Sequence, residues 1–350
     1  MSGPPFTHSD GALQKREGHR WRRSRRPRAL CSSLSAWIVL LLVGVAGLAR
    51  PTRAGELGHY FPGAFNVRDY ILPDKGLYAA VYGIYYGSND LRDRSGHEIS
   101  SIPLPGGSAD VDTDLDLYSI VPAVLWNSGW KVIGAEYGAY AALPFGGPSL
   151  SASLSTPIGF GTDSDTSAFG LQDLFVQPLW LRWSFEHVDL SFAYGIYAPS
   201  GHYNAGDSDN IGMGFWTNQF QLAGAYYLLD RATALVLAGT YEINGEQEDT
   251  DITPGQRLTL NYGISQFLPW GPGLVDLGVM GYSQWQVTHD RGSNVASFNS
   301  HLDQVHAIGA ELGYALPKLG LGVTGKYLYE YYAESRFRGH VLTLSVGYEF

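Results

Sequence analysis

The chain ends His340-Val-Leu-Thr-Leu-Ser-Val-Gly-Tyr-Glu-Phe350. From Leu342 onward every even position is apolar: Leu342, Leu344, Val346, Tyr348 and Phe350. Thr343, Ser345, Gly347 and Glu349 stand between them. Side chains on a strand alternate faces, so this segment has one apolar face and one polar face. A chain that stops on such a strand, with aromatics at its last and third-last positions, points to a barrel whose final strand closes against its first. Tyr348 and Phe350 are the expected assembly signal.

Eleven further stretches read as strands, near 76–87, 112–125, 130–142, 170–185, 188–198, 214–228, 232–243, 256–268, 273–287, 304–316 and 319–331. Alternation is clearest in Leu190-Ser-Phe-Ala-Tyr-Gly-Ile196 and Leu258-Thr-Leu-Asn-Tyr-Gly-Ile264. Short turn-forming connections at 127–129, 186–187, 229–231, 270–273 and 317–318 alternate with longer polar loops. The expected fold is all-β: a transmembrane antiparallel barrel of about 12 strands with short periplasmic turns and long outer loops. A β-sandwich or lipocalin-like barrel would not need that asymmetry. The strand count places both ends of the barrel, and the chain's two termini with them, on the periplasmic side of a Gram-negative outer membrane.

Residues 1–54 read as a signal peptide. A basic run from Arg16 to Arg28 precedes an apolar stretch, Ala36 to Ala49, and small residues that suit cleavage. A single membrane anchor over 29–49 is the alternative. Residues 55–75 form a periplasmic segment before the first strand, in which Pro62, Gly63 and Pro73 discourage regular structure. It is expected to act as a small plug burying Tyr60 and Phe61. Residues 76–350 are the barrel. Beyond residue 54 no apolar run approaches the roughly 20 residues of a spanning helix.

Residues 55–350 hold 13 bases and 31 acids, a net charge of −18, which excludes a nucleic-acid partner in ordinary terms. The single cysteine, Cys31, precedes the apolar core of the signal segment, so no disulfide framework is expected. The histidines show no metal-ligand spacing, and neither metal nor cofactor is expected.

Asp110, Asp112, Asp114 and Asp116 alternate at the start of the second strand. Four carboxylates cannot face lipid, so they are expected on the lumen side near the outer mouth, as a cation-attracting stripe, part of a Ca²⁺ site, or simply a solvated upper strand whose charges discourage aggregation. Strand parity also directs Glu136, Arg182, Asp276, Glu311 and Lys326 into the lumen, as a selectivity constriction or an ion-pair network that stiffens a narrow barrel. Most of Tyr82, Tyr86, Tyr137, Tyr327, Tyr329 and Tyr331 are assigned to interfacial girdles. Acidic loop clusters such as Asp163–Asp165 could meet divalent cations and lipopolysaccharide.

Several blocks resemble a known family: His59-Tyr-Phe-Pro-Gly63 with Leu72-Pro-Asp-Lys-Gly-Leu-Tyr78, Gly170-Leu-Gln-Asp-Leu-Phe-Val-Gln-Pro178, Tyr194-Gly-Ile-Tyr-Ala-Pro-Ser-Gly201 and Asn210-Ile-Gly-Met-Gly-Phe-Trp216. They are similar to the MetA-pathway phenol-degradation family, over about 56–350. The resemblance implies an outer-membrane, transporter-like barrel linked to aromatic compounds, with no catalytic residues to carry over. Three functions stand open. One is a non-enzymatic channel for small, hydrophobic or aromatic solutes. The second is a lipid hydrolase, which needs a serine and a histidine within hydrogen-bond reach on the outer wall. The third is a closed structural or adhesive barrel. Expected partners are outer-membrane lipid, lipopolysaccharide, the barrel assembly machinery and a small-molecule solute.

Overall fold

The computed structural model of the protein describes residues 58–350 except 105–106, 157–160, 208 and 296–300. The signal peptide and cleavage sites expected within 1–54 lie outside the described residues. Sixteen strands follow a short 3₁₀ turn at Val67–Tyr70. The first eight are β1 (Gly76–Ser88), β2 (Ser101–Leu104), β3 (Gly107–Val132), β4 (Ala135–Ala142), β5 (Phe145–Ser155), β6 (Gly161–Ser167), β7 (Gly170–Leu171) and β8 (Leu174–Ser184). The rest are β9 (Val188–Ala198), β10 (Thr217–Leu228), β11 (Thr233–Asn244), β12 (Arg257–Trp270), β13 (Gly273–Gln286), β14 (Gln304–Leu316), β15 (Leu321–Glu334) and β16 (His340–Glu349).

Twelve of these, β1, β3, β4 and β8 to β16, close into an antiparallel barrel in which β1 pairs with both β16 and β3. The seam runs from Tyr78 opposite Glu349 to Gly87 opposite His340, and the Phe350 N–H donates to the Leu77 carbonyl at 3.0 Å. The alternation read in the last strand is the alternation seen. Leu342, Leu344, Val346 and Tyr348 are exposed on the outside, while Val341, Thr343 and Ser345 are buried inside. Closure matters because an open edge could not satisfy its backbone groups in hydrocarbon.

Three local expectations differ from the structure. The hairpin between β3 and β4 turns at Ile133 and Gly134, both at positive φ, and not at 127–129. Asn127-Ser128-Gly129 is instead a bulge in β3. The Asn127 and Ser128 side chains accept the Gly129 and Trp130 N–H groups (2.9 and 3.0 Å), so turn chemistry is satisfied without reversing the chain. Next, the outer "loops" contain sheet: the outer half of β3 pairs with β2 and β5, and β5 with β6. These strands are polar because they stand beyond the lipid, so hydropathy does not mark them. Finally, the chain before β1 does not stay at the periplasmic end of the barrel: Gly58 stands beside Glu242 and Arg257, at the ends of β11 and β12 that the long 245–256 loop joins.

Candidate functional site

Residues 58–75 descend the lumen from its outer half to its periplasmic end. At the top, His59 places Nε2 2.9 Å from Asp173 Oδ2 and Nδ1 2.8 Å from Thr217 Oγ1, at the outer ends of β8 and β10. Its ring stacks on Tyr197 and meets Phe215 edge-on. Below, the N–H groups of Tyr60, Gly63 and Val67 donate to Glu242 (2.8 Å), Asn261 (3.2 Å) and Glu311 (3.0 Å). The Lys326 ammonium donates to the carbonyls of Ala64 and Phe65 at 3.1 and 2.8 Å. At the bottom, Arg68 donates to Ser265 and to the Ala232 carbonyl, and lies over the Phe267 ring. Arg182 and Asn127 hold the carbonyls of Leu72 and Pro73.

The wall is shaped for this segment. Gly263 of β12 and Gly138 of β4 face inward where Val67 and Leu72 sit, and a Cβ on either would come within 2.8 and 2.6 Å of those side chains. Gly63 has φ +72 and no room for a Cβ beside Leu328 and Tyr282. Only glycine meets both demands there.

The lumen has two unlike walls. On β10 to β13 the buried inward residues of the outer half are mostly polar, with Gln219, Gln221, Thr240, Glu242, Thr259, Asn261 and Gln284 beside one aromatic, Tyr282. On β1, β3, β4, β8 and β9 rings and apolar groups prevail, with Ile84, Tyr86, Tyr140, Phe175 and Trp180 beside buried Ser119 and Gln177, and half-buried Tyr82, Val121 and Tyr197 join them. The segment turns the Tyr60 and Gly63 N–H groups to the first wall and the Val67 N–H to Glu311 of neighbouring β14. Its Phe61 and Phe65 rings turn to the second.

Charged residues directed inward by parity are brought together in two tiers. Arg182 bridges Glu136 (2.6 Å) and Asp74 (3.0 Å) at the periplasmic end. Glu311 and Lys326 face each other across β14 and β15, with both heads turned to the segment. Asp276 accepts from Ser265, which Arg68 also contacts. A further tier at the outer end escaped the sequence reading: Arg257 donates to Asp303 at 2.7 Å, and Arg336 reaches Asp303 at 3.4 Å and Gln284 at 2.9 Å. Burial alone would push the Asp303 carboxyl up, but the two guanidinium groups outweigh it and hold it below the usual carboxylate range. Parity with Thr259 was the signal that could have found Arg257. Of the six tyrosines, Tyr82 and Tyr86 face the lumen, while Tyr137, Tyr327, Tyr329 and Tyr331 lie on the outer face.

The four aspartates require a correction. In β3 the even positions Tyr118, Ile120, Val124 and Trp126 are exposed to the outside, and Ser119 and Ala123 are buried within. The pairing with β1 and β5 runs without a bulge from Ala123 back to Asp110. Asp110, Asp112, Asp114 and Asp116 therefore share the outward face and do not line the lumen. A strand of 26 residues far exceeds the roughly ten that span a bilayer, so its outer part reaches water. One face can carry a lipid contact, an aromatic belt and then carboxylates. Tyr85 marks the boundary, donating to Asp116 at 2.7 Å while its ring meets Tyr118. Replacing Asp112, Asp114 and Asp116 by Asn is expected to leave the reversal potential in a salt gradient unchanged; a loss of cation preference would restore them to the conduction path.

The outer wall also holds a pair that sequence spacing did not reveal. His306 Nδ1 lies 2.8 Å from Ser283 Oγ, cross-strand neighbours on β14 and β13. Trp285, Tyr331 and Tyr332 surround the imidazole. No described residue hydrogen-bonds the second imidazole nitrogen, so the orienting group of a hydrolytic triad is not in place. Ser191 faces inward and is held by Trp180 Nε1 at 2.7 Å.

A closed twelve-stranded barrel with an apolar outer belt and long outer loops defines an outer-membrane β-barrel protein. Residues 88–346 match the family described as "Putative MetA-pathway of phenol degradation", and the chain belongs to that family. None of the curated proteins matches it. Among solved structures, it is similar to the COG4313 outer membrane channel from Pseudomonas putida F1, at 17% identity and a TM-score of 0.60, covering 82% of this chain and 100% of that one. The translocator domain of the autotransporter NalP from Neisseria meningitidis aligns at 14% identity and a TM-score of 0.43, over 92% of this chain and 100% of that one. The first likeness is one of fold.

Proposed function

We propose that this barrel is a channel for small solutes of hydrophobic or aromatic character, gated by its own N-terminal segment. The observation that carries the reading is the way residues 58–75 fill the lumen. They are held by hydrogen bonds and ring contacts, with no covalent tie to the wall. A neutral bond contributes about 0.5–1.5 kcal/mol net and one to a charged group such as Glu242 or Lys326 about 1.5–3 kcal/mol, each small enough for the segment to part from the wall piecemeal. Family membership adds aromatic compounds as the cargo class. The apolar belt meets outer-membrane lipid, the outer strands meet lipopolysaccharide, and the last strand is what the assembly machinery reads.

Single-channel recording in planar bilayers tests this. Discrete conductance steps are expected from the wild type, and larger ones once the segment is removed. If neither protein carries current, the closed structural reading takes its place. The Ser283–His306 pair favours a second reading, a lipid hydrolase on the outer wall. We expect no fluorophosphonate labelling of Ser283 in detergent micelles. Labelling that is lost in Ser283→Ala would establish the hydrolase instead.

A further inference from the structure

Phe65 sits in a cage of rings. Its centroid lies 5.7 Å from Tyr70, 6.0 Å from Tyr82 and 6.0 Å from Tyr140, each in an edge-to-face arrangement. Phe61 meets Tyr86 edge-on at 6.3 Å. From Tyr140 the contacts continue to Phe175 (6.0 Å), from Phe175 to Tyr197 (4.4 Å), and from Tyr197 to His59 (4.8 Å). An unbroken run of ring contacts thus links His59, at the top of the lumen, to Phe65. Its wall members, Tyr82, Tyr86, Tyr140, Phe175 and Tyr197, stand on β1, β4, β8 and β9, while His59, Phe61, Phe65 and Tyr70 come from the segment.

We propose that this run is the binding lane for a planar aromatic solute, and that Phe65 and Phe61 occupy the places its ring takes. The inference rests on the channel reading above and names the site within it. Edge-to-face pairs contribute about 0.5–1.5 kcal/mol beyond their buried area, and they select ring quadrupoles over saturated rings of equal size. Tyr82 and Tyr140 belong to the wall, so two sides of the cage remain when the segment withdraws. The opposite wall, rich in Gln, Asn and Thr, supplies donors and acceptors for a single hydroxyl on the solute.

The test uses phenol and cyclohexanol, which match in size and carry one hydroxyl each. In Phe65→Ala the current through single channels should be interrupted by phenol, at a concentration where cyclohexanol leaves it unbroken. In Phe65→Leu, which keeps apolar volume and guards against a folding defect, phenol should interrupt it more weakly. Adding Tyr82→Leu and Tyr140→Leu to Phe65→Ala should abolish the preference. Equal blockade by both alcohols, or blockade by neither, overturns the lane while leaving the channel intact. Absence of current in every variant, the segment deletion included, overturns the channel and the lane together.

Discussion

Deleting residues 58–71 should convert an almost filled barrel into one with a sustained ionic current. The expected rise is large because a twelve-stranded barrel has a narrow interior, and one extended chain with Tyr60, Phe61, Phe65 and Tyr70 takes up much of it. The barrel itself should survive, since β1 begins at Gly76 and no ladder bond is lost. Some stability is forfeited, because Glu311, Lys326 and Glu242 lose partners supplied by the segment. Water that enters the lumen solvates these groups, so the loss stays below the about 3–5 kcal/mol of breaking a buried ion pair. Bilayer recording, with heat-modifiable gel mobility as the folding control, measures both. A folded deletion variant that carries no more current than the wild type would show that another element closes the pore.

The second large effect belongs to the last residue. Removing Phe350 should leave most of the protein unassembled in cells, yet scarcely change the stability of protein refolded in detergent. The two outcomes separate because Phe350 is 73% exposed and contributes one backbone bond to the folded seam, to Leu77. Its ring meets Tyr348, itself on the lipid face, edge-on. Little folded-state energy is at stake, so a strong effect must arise during insertion. Equal yields of wild type and variant in outer-membrane fractions would count against an assembly role.

The strands that cross lipid were legible in the sequence because hydrocarbon enforces a two-residue period on them; β9, β12, β14 and β16 are read almost to their ends. Where water replaces lipid, that constraint lapses. Ser151, Ser153 and Thr166 could sit in a loop as well as in a strand, and the sheet that β5 and β6 build onto β3 was accordingly invisible. The misplaced aspartates have the same origin. Parity tied them to Tyr118 correctly, but the argument that carboxylates cannot face lipid assumed the whole strand to be within the membrane. Inward charges on short, regular strands were legible from parity, as Glu311 and Lys326 illustrate. Contacts made across strands were not: Ser283 with His306, or His59 with Asp173, lie 23 and 114 residues apart. No local spacing encodes such pairs.

The groups that receive the segment backbone stand on β11, β12, β14 and β15, whereas β1, the strand that follows the segment directly, lies at the seam. If β16 leads insertion and β1 joins last, a curved sheet carrying Glu242, Asn261, Glu311 and Lys326 exists before the ring shuts. The preceding residues can then lie down on that sheet sideways. Threading a finished cylinder, end first, past Tyr282 and Leu328 would be far slower. On that order of events, closure and occlusion would coincide.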